Sequence, residues 1–436
     1  MKVIKFGGTS LGSPQRMKEV ANLIANENAI VVLSAISGTT NSLTEITNFL
    51  YQNKRNKAKE LAFGLKEKYT SFINELFSNE DLKLKAQETI GLHFNHILSF
   101  AEDLFTANEE KTILAQGELI STSIFQYYLE ENNMDSTLLS ALDFMRINKD
   151  LEPDGYYIKH NLEREFKHAP SKLYITQGYI CRNVFGEIDN LKRGGSDFTA
   201  SLIGAAINAS EIEIWTDIDG MHNNDPRVVE KTTSIKNLSY NEAAELAYFG
   251  AKILHPASVY PAQLNGIPIY LKNTMEPNKP GTKIEKATGN KEFTAVAAKD
   301  GITAIKIKSG RMLLAYGFLR KIFDIFERYK TPIDVITTSE VAVSLTIDDN
   351  TNLEQIQNEL LQLGEVEINK ELSIICVVGN FSSSTIGSGN KIFDCLKNIP
   401  IRMVSYGGSL HNVSVVIPTE HKKKALNELN KGLFNL

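Results

Sequence analysis

Two short stretches carry the residue types that grip phosphate. Lys5-Phe6-Gly7-Gly8-Thr9-Ser10 follows the apolar pair Val3-Ile4. A strand that ends in two glycines lets successive backbone N–H groups converge on one concave spot suited to phosphate oxygens, and Lys5 adds a cation. Glycine turns after strands are common and most bind nothing, so the lysine on the strand raises the signal. Arg193-Gly194-Gly195-Ser196-Asp197 repeats the device ahead of an Ala-rich helix predicted over 198–208. A glycine pair feeding a helix start presents free N–H groups and the positive end of the dipole to an anion. The arginine before it can hold a carboxylate through two parallel hydrogen bonds. Folding needs alone do not explain Arg, Gly, Gly, Ser and Asp in one turn beside a second Gly-Gly loop. The chemistry these parts suit is phosphoryl transfer, which needs fixed cations and N–H donors where negative charge spreads.

The elements that must position them are read from periodicity. Residues 1 to about 45 read strand, glycine turn, helix, strand, turn: Met17, Val20, Leu23 and Ile24 recur at helical spacing, and Ile30-Val31-Val32-Leu33 is a continuous apolar run, as in a strand buried on both faces. This is a β-α-β opening with a parallel sheet, in which ligands collect at the carboxyl ends of strands, so the turns after Ile4 and Leu33 face one crevice. The hydroxyl-rich run Ser34-Ala35-Ile36-Ser37-Gly38-Thr39-Thr40-Asn41 is by composition a turn with a helix cap or a substrate site. Residues 45–115 are charged and helical in pattern. The lysines of 54–68 alternate with Glu60 and Glu67 as on a solvated face. His93 and His96 lack a third ligand and read as ordinary helix residues. Glu118, in Gln116-Gly117-Glu118-Leu119, reads as a residue near a helix start that compensates the dipole. Leu173-Tyr174-Ile175-Thr176 is a strand that turns at Gln177-Gly178-Tyr179, and Ile212-Glu213-Ile214-Trp215-Thr216-Asp217 is the next, with Trp215 in the core. Lys252 ends an amphipathic helix, where the dipole alone favours a lysine, and His255-Pro256 serves turn geometry.

Asn278-Lys279-Pro280-Gly281-Thr282 and Thr288-Gly289-Asn290 read as a linker, and a repeat of short strands and helices follows. The first copy predicts a strand over 302–308, a helix over 318–329 with Leu319, Ile322, Phe323 and Phe326 on one face, and strands over 333–336 and 341–347. The second predicts 373–378, 391–396, 401–406 and 413–417; Pro332-Ile333-Asp334-Val335 and Pro400-Ile401-Arg402-Met403 are equivalent strand entries. At 436 residues the chain exceeds a usual single domain, and its 42% hydrophobic and 23% charged content is ordinary for a soluble protein. A net charge of -5 gives no reason to propose nucleic acid or an anionic membrane as partner. Cys181, Cys376 and Cys395 read as reduced core thiols, without spacing for a zinc site or a disulfide framework. No secretory signal opens the chain, and the longest apolar run, 29–36, is too short to span a bilayer. The expected compartment is the cytoplasm.

Four blocks, the two glycine loops together with Gly117-Glu118-Leu119 and Phe249-Gly250-Ala251-Lys252-Ile253-Leu254-His255-Pro256, resemble aspartokinase, within the amino-acid kinase family, in the family's order. The resemblance covers nearly the whole chain. It implies an α/β fold class: an αβα sandwich with a mainly parallel central sheet over 1–290, then two ferredoxin-like (ACT) α+β units over 301–370 and 371–436. A strand at 293–298 would belong to the second of these. The implied reaction transfers the γ-phosphoryl group of ATP to the β-carboxylate of L-aspartate, giving 4-phospho-L-aspartate, the first step toward lysine, threonine and methionine. In the resemblance Lys5 bridges the transferring phosphoryl and Asp197 orients Lys5. Ser34, Thr40, Arg193, Ser196 and Tyr179 hold the amino acid, whose α-ammonium goes to Glu118. Gly7, Gly8, Gly194 and Gly195 supply backbone donors to the nucleotide, Thr216 and Asp217 approach base and ribose, and Arg227 and Lys252 reach the phosphates. His222 stands in the adenosine pocket where the family commonly has Tyr, and Lys192 where a small residue is frequent.

The ACT units imply an amino-acid effector, lysine first, held by Met312, Gly317, Phe318 and Leu319 with Asp334, Thr338 and Ser339. Ala315 and Pro332 stand where lysine-responsive members often have hydroxyls. Mg²⁺ is carried mainly by the ATP phosphates, without a protein metal cage. A homodimer built partly through 300–436 is expected, and no fused dehydrogenase domain after the lysine-bearing helix that ends at Leu436. A carboxylate is already a nucleophile at neutral pH, so no general base is required. The chain lacks a G-x-x-x-x-G-K-[ST] loop and an H-R-D with D-F-G set. The rival readings on the same fold are a glutamate or uridylate kinase. From another class comes a non-catalytic sensor, against which the intact Lys5, Arg193 and Asp197 speak.

Overall fold

The protein is described from a computed structural model covering residues 1–436 apart from 103, 192–193, 251–253, 287–290, 313–315 and 383–385. The chain forms two compact units. One comprises Met1–Met221, Lys236–Tyr240 and Ile253–Thr288; the other comprises His222–Ile235, Asn241–Lys252 and Gly289–Leu436.

In chain order the elements begin with β1 (Lys2–Phe6), α1 (Pro14–Ile24), β2 (Ala29–Leu33), α2 (Thr39–Tyr51), α3 (Arg55–Leu76), α4 (Glu80–Ser99) and α5 (Ala107–Glu131). β3 (Thr137–Leu139), α6 (Ala141–Phe144), α7 (Gly155–His168), β4 (Leu173–Gln177), β5 (Ile180–Arg182), β6 (Ile188–Asn190), α8 (Gly195–Ile207) and β7 (Ile212–Thr216) follow. β8 (Asn237–Ser239), α9 (Tyr240–Tyr248), α10 (Pro256–Asn265), β9 (Ile269–Asn273) and β10 (Thr282–Glu285) come next, α9 from Asn241 onward belonging to the second unit. The sheet order is β3-β4-β2-β1-β7-β9-β10-β8, with only β9 and β10 antiparallel to each other. It is the expected mainly parallel sheet.

Period two decides which side chains meet which helices. Ile4 and Phe6 of β1, with Ala29, Val31 and Leu33 of β2, pack into one core with α1 to α5. Lys5 therefore turns to the other face, where α8 lies along β1, β2 and β7. The helices begin where local chemistry allows: Ser13 caps α1 with Pro14 behind it, and Thr106 with Glu109 closes a capping box on α5. Two expectations about this unit are corrected. Glu118 lies in the middle of the long helix α5, far from its start. The segment read as a linker contains β10: Gly281, at φ +66, turns the chain so tightly against β9 that a Cβ would sit 1.9 Å from Leu271 O. The turn signal was real; its meaning was a hairpin.

The second unit adds β11 (Phe293–Lys308), α11 (Phe318–Arg328), β12 (Ile336–Thr338), β13 (Ala342–Ile347), α12 (Leu353–Leu360), β14 (Glu365–Gly379), α13 (Ser388–Cys395), β15 (Met403–Tyr406), β16 (Asn412–Pro418) and α14 (Lys422–Phe434). Its sheet is wholly antiparallel, in the order β12-β13-β11-β14-β16-β15. The two long central strands each serve two cores. The far half of β11 packs with α11, α12 and β13, while Val296 of its near half packs with β14, β16, α13 and α14. The first strand of the repeat thus starts at 293, pairing its near half with 374–379 of β14. On α11 the buried positions are Phe318, Ile322, Ile325 and Phe326, whereas Leu319 and Phe323 are 38% and 41% exposed. Ile322 and Phe326 are buried as expected, while Phe318 and Ile325 take the places expected of Leu319 and Phe323, and the predicted strand at 333–336 begins only at Ile336. All three cysteines are free.

Candidate active site

The Lys5 ammonium lies 2.7 Å from Asp197 Oδ1, an ion pair between β1 and the first turn of α8. Gly194, at φ +75, caps α8; a side chain there would run into Ser258 Oγ at 2.4 Å. Gly195 and Ser196 follow at a helix start, where backbone N–H groups have no partner within the helix. Across the crevice Gly8 approaches so closely that a Cβ would lie 2.7 Å from Ala35 O, and Ser37 N donates to Gly8 O at 3.1 Å. The turns after β1 and β2 therefore do share one crevice. Gly7 departs from its expected part as a donor: its N–H is spent on Trp215 O at 3.1 Å. The parallel register that pairs Phe6 with Trp215 sets Thr216 and Asp217 at the same carboxyl end of the strands as the glycine turn, and Thr216 Oγ1 donates to Asp217 Oδ1 at 3.1 Å. Trp215 is core, stacked on Phe6 and donating its indole N–H to the buried Glu213.

From this ion pair a chain of contacts leads to a second carboxylate. Ser34 Oγ donates to Ser196 Oγ at 2.9 Å, and Ser121 Oγ donates to Ser34 O at 2.9 Å. Next to Ser34, Ala35 N donates to Glu118 Oε1 at 3.4 Å. Gly117 allows this approach, since a Cβ on it would meet Ala35 Cβ at 2.9 Å. Glu118 is 4% exposed and its Oε2 has no hydrogen-bond partner. Burial pushes its carboxyl up to about 8, against the opposing pull of the Ala35 N–H. Among the described residues it has no ion-pair partner. Tyr179 turns nearby at φ +66, its N–H donating to Thr199 Oγ1 at 2.9 Å; burial first and the Glu118 charge second push its hydroxyl up to about 12. Thr40 sits on the exposed start of α2, and no hydrogen bond ties its hydroxyl to Ser34, Glu118 or Ser196. Arg193 and Lys252 lie outside the described residues, as do Lys192 and Ala315.

His222 and Arg227 belong to the second unit. His222 Nδ1 is 2.9 Å from Thr232 Oγ1, and Arg227 grips Asp225 through Nε and Nη2 at 2.9 and 2.8 Å. Of the expected effector residues, Gly317 caps α11 at φ +78, Phe318 is in the core, Leu319 is exposed, and Met312 ends a short 3₁₀ turn. Thr338 is exposed on β12 and Ser339 N donates to Ala342 O at 2.8 Å. The Asp334 side chain, 1% exposed, accepts from Lys299 Nζ at 2.7 Å and from the Tyr248 hydroxyl at 2.8 Å on Oδ1, while Oδ2 has no partner. Lys299 also pairs with Asp348 at 2.8 Å. Burial alone would lower the Lys299 ammonium; its hydrogen bonds to Asp334 and Asp348 more than offset this and hold it above the usual lysine range.

Sequence reasoning missed Ser121, Thr199, Tyr248 and Lys299, which carry no local signal. Gly178 had one, a glycine directly after a strand: a Cβ there would strike Ser196 at 2.3 Å. Among the described residues no three His, Cys, Asp or Glu side chains come together as a metal site, and His93 bonds Gln116 Oε1 at 2.7 Å through Nδ1. No described helix is long and apolar enough to cross a membrane.

Comparison with known proteins places these features in context. The model of the amino acid kinase family matches residues 1–273, and that of an ACT domain matches 375–433. Lysine-sensitive aspartokinase 3 of Escherichia coli is 33% identical over 99% of both chains, and chloroplastic aspartokinase 1 of Arabidopsis thaliana 32% over 99% of this chain and 80% of its own. The crystal structure of E. coli aspartokinase III with aspartate and ADP (R-state) matches with a TM-score of 0.83 at 31% identity over 100% of both chains. The same enzyme with lysine and aspartate (T-state) gives 0.79 at 31% over 99% of each.

Proposed function

The chain belongs to the aspartokinases of the amino acid kinase family, and from that premise we propose that it transfers the γ-phosphoryl group of ATP to the β-carboxylate of L-aspartate. The observation that carries the reading is the continuous run of contacts from Lys5–Asp197, through Ser196–Ser34, to the unpartnered oxygen of buried Glu118. The two ends of that run suit the two ends of the substrate.

Glu118 Oε2 takes the α-ammonium. An ammonium placed there ends the isolation of a buried carboxylate, and a substrate lacking one leaves it unpaired, which is a strong basis for rejection. Arg193 receives the α-carboxylate, with Ser34, Ser196, Thr40 and Tyr179 as polar contacts around it. At the other end Lys5, held by Asp197, faces the phosphoryl in flight, and the N–H groups of Gly8, Gly194 and Gly195 stabilise its oxygens. The nucleophile is the substrate's own carboxylate, so in the transfer step these residues position and neutralise and move no proton. Thr216 and Asp217 approach the nucleoside. Mg²⁺, carried mainly by the ATP phosphates, would supply charge neutralisation there, and the Lys5 ammonium and glycine N–H groups suit those phosphate oxygens.

In the second unit lysine is the effector, with its carboxylate at the start of α11 near Gly317 and its α-ammonium on Asp334 Oδ2. The relative's lysine sensitivity and the lysine complex of the E. coli enzyme support this. A homodimer through residues 300–436 and a cytoplasmic location complete the reading; a monomer by light scattering at working concentration would refute the dimer. The deciding assay combines protein, Mg·ATP and L-aspartate, with hydroxylamine trapping the acyl phosphate. Hydroxamate from aspartate and none from glutamate is the expected result. ATP binding without hydroxamate would overturn the assignment.

A further inference from the structure

The phosphate-side turn and the nucleoside-side strand end meet at a residue outside both motifs. Ser10, fully buried at the end of the Lys5-Phe6-Gly7-Gly8-Thr9-Ser10 run, shares a hydrogen bond of 2.7 Å with the hydroxyl of Thr274, itself 3% exposed. Thr274 follows β9 directly, and its backbone N–H donates to Thr216 O at 2.8 Å. One residue thus holds the 3₁₀ turn Gly8–Leu11 with its side chain and the end of β7 with its main chain. The ladder bonds end at Gly7 N on Trp215 O; beyond it Ser37 N donates to Gly8 O at 3.1 Å and Arg16 Nη1 to Thr9 O at 2.8 Å, and Thr274 supplies the tie toward β7.

We infer that Thr274 is a positioning residue for the nucleotide, fixing the distance between the donors at Gly8 and the ribose-side pair Thr216 and Asp217. The inference rests on the reading of those residues as nucleotide contacts. Both hydroxyls are buried, so losing either strands its partner without water to replace it, and the turn gains freedom where a shift of about 1 Å is costly. The aspartate side has fastenings of its own, through Ser34, Ser121, Ser196 and the Ala35–Glu118 bond, and meets the turn at the Ser37 N bond to Gly8 O, so the loss of the Thr274 hydroxyl falls mainly on ATP.

Thr274→Val keeps the shape and the backbone bond and removes the hydroxyl. Its expected signature in steady-state assays is a KM for ATP raised roughly tenfold with the KM for aspartate within about twofold of the parent. Thr274→Ser restores the hydroxyl and is expected to restore the ATP KM. Ser10→Ala should reproduce the defect, and the Ser10→Ala/Thr274→Val pair should be no worse than either single variant, because both remove one shared bond. Parallel rises in both KM values, failure of Thr274→Ser to rescue, or simple additivity in the pair would show a merely structural hydroxyl and overturn the inference. Asp217→Ala separates the two possible failures. A raised ATP KM there with an unchanged one in Thr274→Val removes the inference alone, whereas unchanged values in both remove the nucleotide reading as well.

Discussion

Glu118 and Asp334 are both buried carboxylates assigned to an amino-acid ammonium, and the two units prepare them in opposite ways. Glu118 is held by a single backbone N–H at 3.4 Å and has no cation among the described residues. Asp334 is gripped on one oxygen by Lys299 and Tyr248 and presents only the other. A carboxylate left alone in a buried site drives its pKa up and gains most when an ammonium arrives. One that already has a lysine has its charge compensated at rest, and a ligand adds to an arrangement that exists without it. The difference fits a substrate that must always be gripped and an effector that must come and go.

The comparison breaks most visibly at Glu118. Glu118→Gln keeps the shape and the Ala35 contact but offers the substrate ammonium no charge. The expected loss in kcat/KM for aspartate is at least about a thousandfold, against little change in ATP affinity. A loss below tenfold in that variant would mean that the ammonium is held elsewhere.

The same residue gives the next effect, on stability. Its folded pKa, about 8, lies above the value near 4.5 expected of an unfolded chain. The sign follows: the carboxyl destabilises the folded protein when ionised, so stability from this group is complete below pH 4.5 and is lost as the pH rises through 8. Without ligand the protein is expected to lose on the order of a few kcal/mol from this group by pH 9, and Glu118→Gln to remove that slope. Aspartate binding near pH 7 should release close to one proton, readable by calorimetry in buffers of different ionisation enthalpy. An unchanged slope in the variant would show that the carboxyl is charged and partnered in the free protein.

How far the sequence carried this picture depended on where each partner lies. Lys5, Gly8, Gly194, Ser196 and Asp197 were legible because a glycine beside a strand end or helix start is a local event, and the parallel opening followed from one apolar run and one amphipathic helix. Glu118 was legible as a motif and misread as a place: its burial in mid-helix comes from α2 and β2 packing over it, not from its neighbours in sequence. On α11, Ile322 and Phe326 were legible, but Leu319 and Phe323 are as apolar as Phe318 and Ile325, and only the sheet beneath chooses between them. Lys299 could not be paired with Asp334 from spacing at all. They meet through the fold of a sheet whose long strands serve two cores.

In the second unit, Asp334→Asn removes the charge offered to lysine and leaves the buried Lys299 with Asp348 alone. The lysine concentration giving half inhibition is expected to rise about a hundredfold, and thermal stability to fall, since a half-broken buried pair is costly. Retained lysine sensitivity in a folded Asp334→Asn protein would move the effector's ammonium to another acceptor.

The smallest effect sharpens the comparison from the other side. If Lys299 serves to aim Asp334, then Lys299→Met, which keeps the stem and discards the ammonium, leaves a carboxylate that resembles Glu118 in lacking a cation but has lost its fixed direction. Tyr248 still donates to Oδ1 at 2.8 Å, so orientation is weakened and not abolished. The expected result is a lysine response shifted about tenfold to higher concentration, with Tyr248→Phe giving a smaller shift of the same sign. A shift to lower concentration would mean that Lys299 competes with the ligand ammonium. The regulatory carboxylate would then differ from the substrate's by being guarded, and the contrast between the two units would be one of competition in place of alignment.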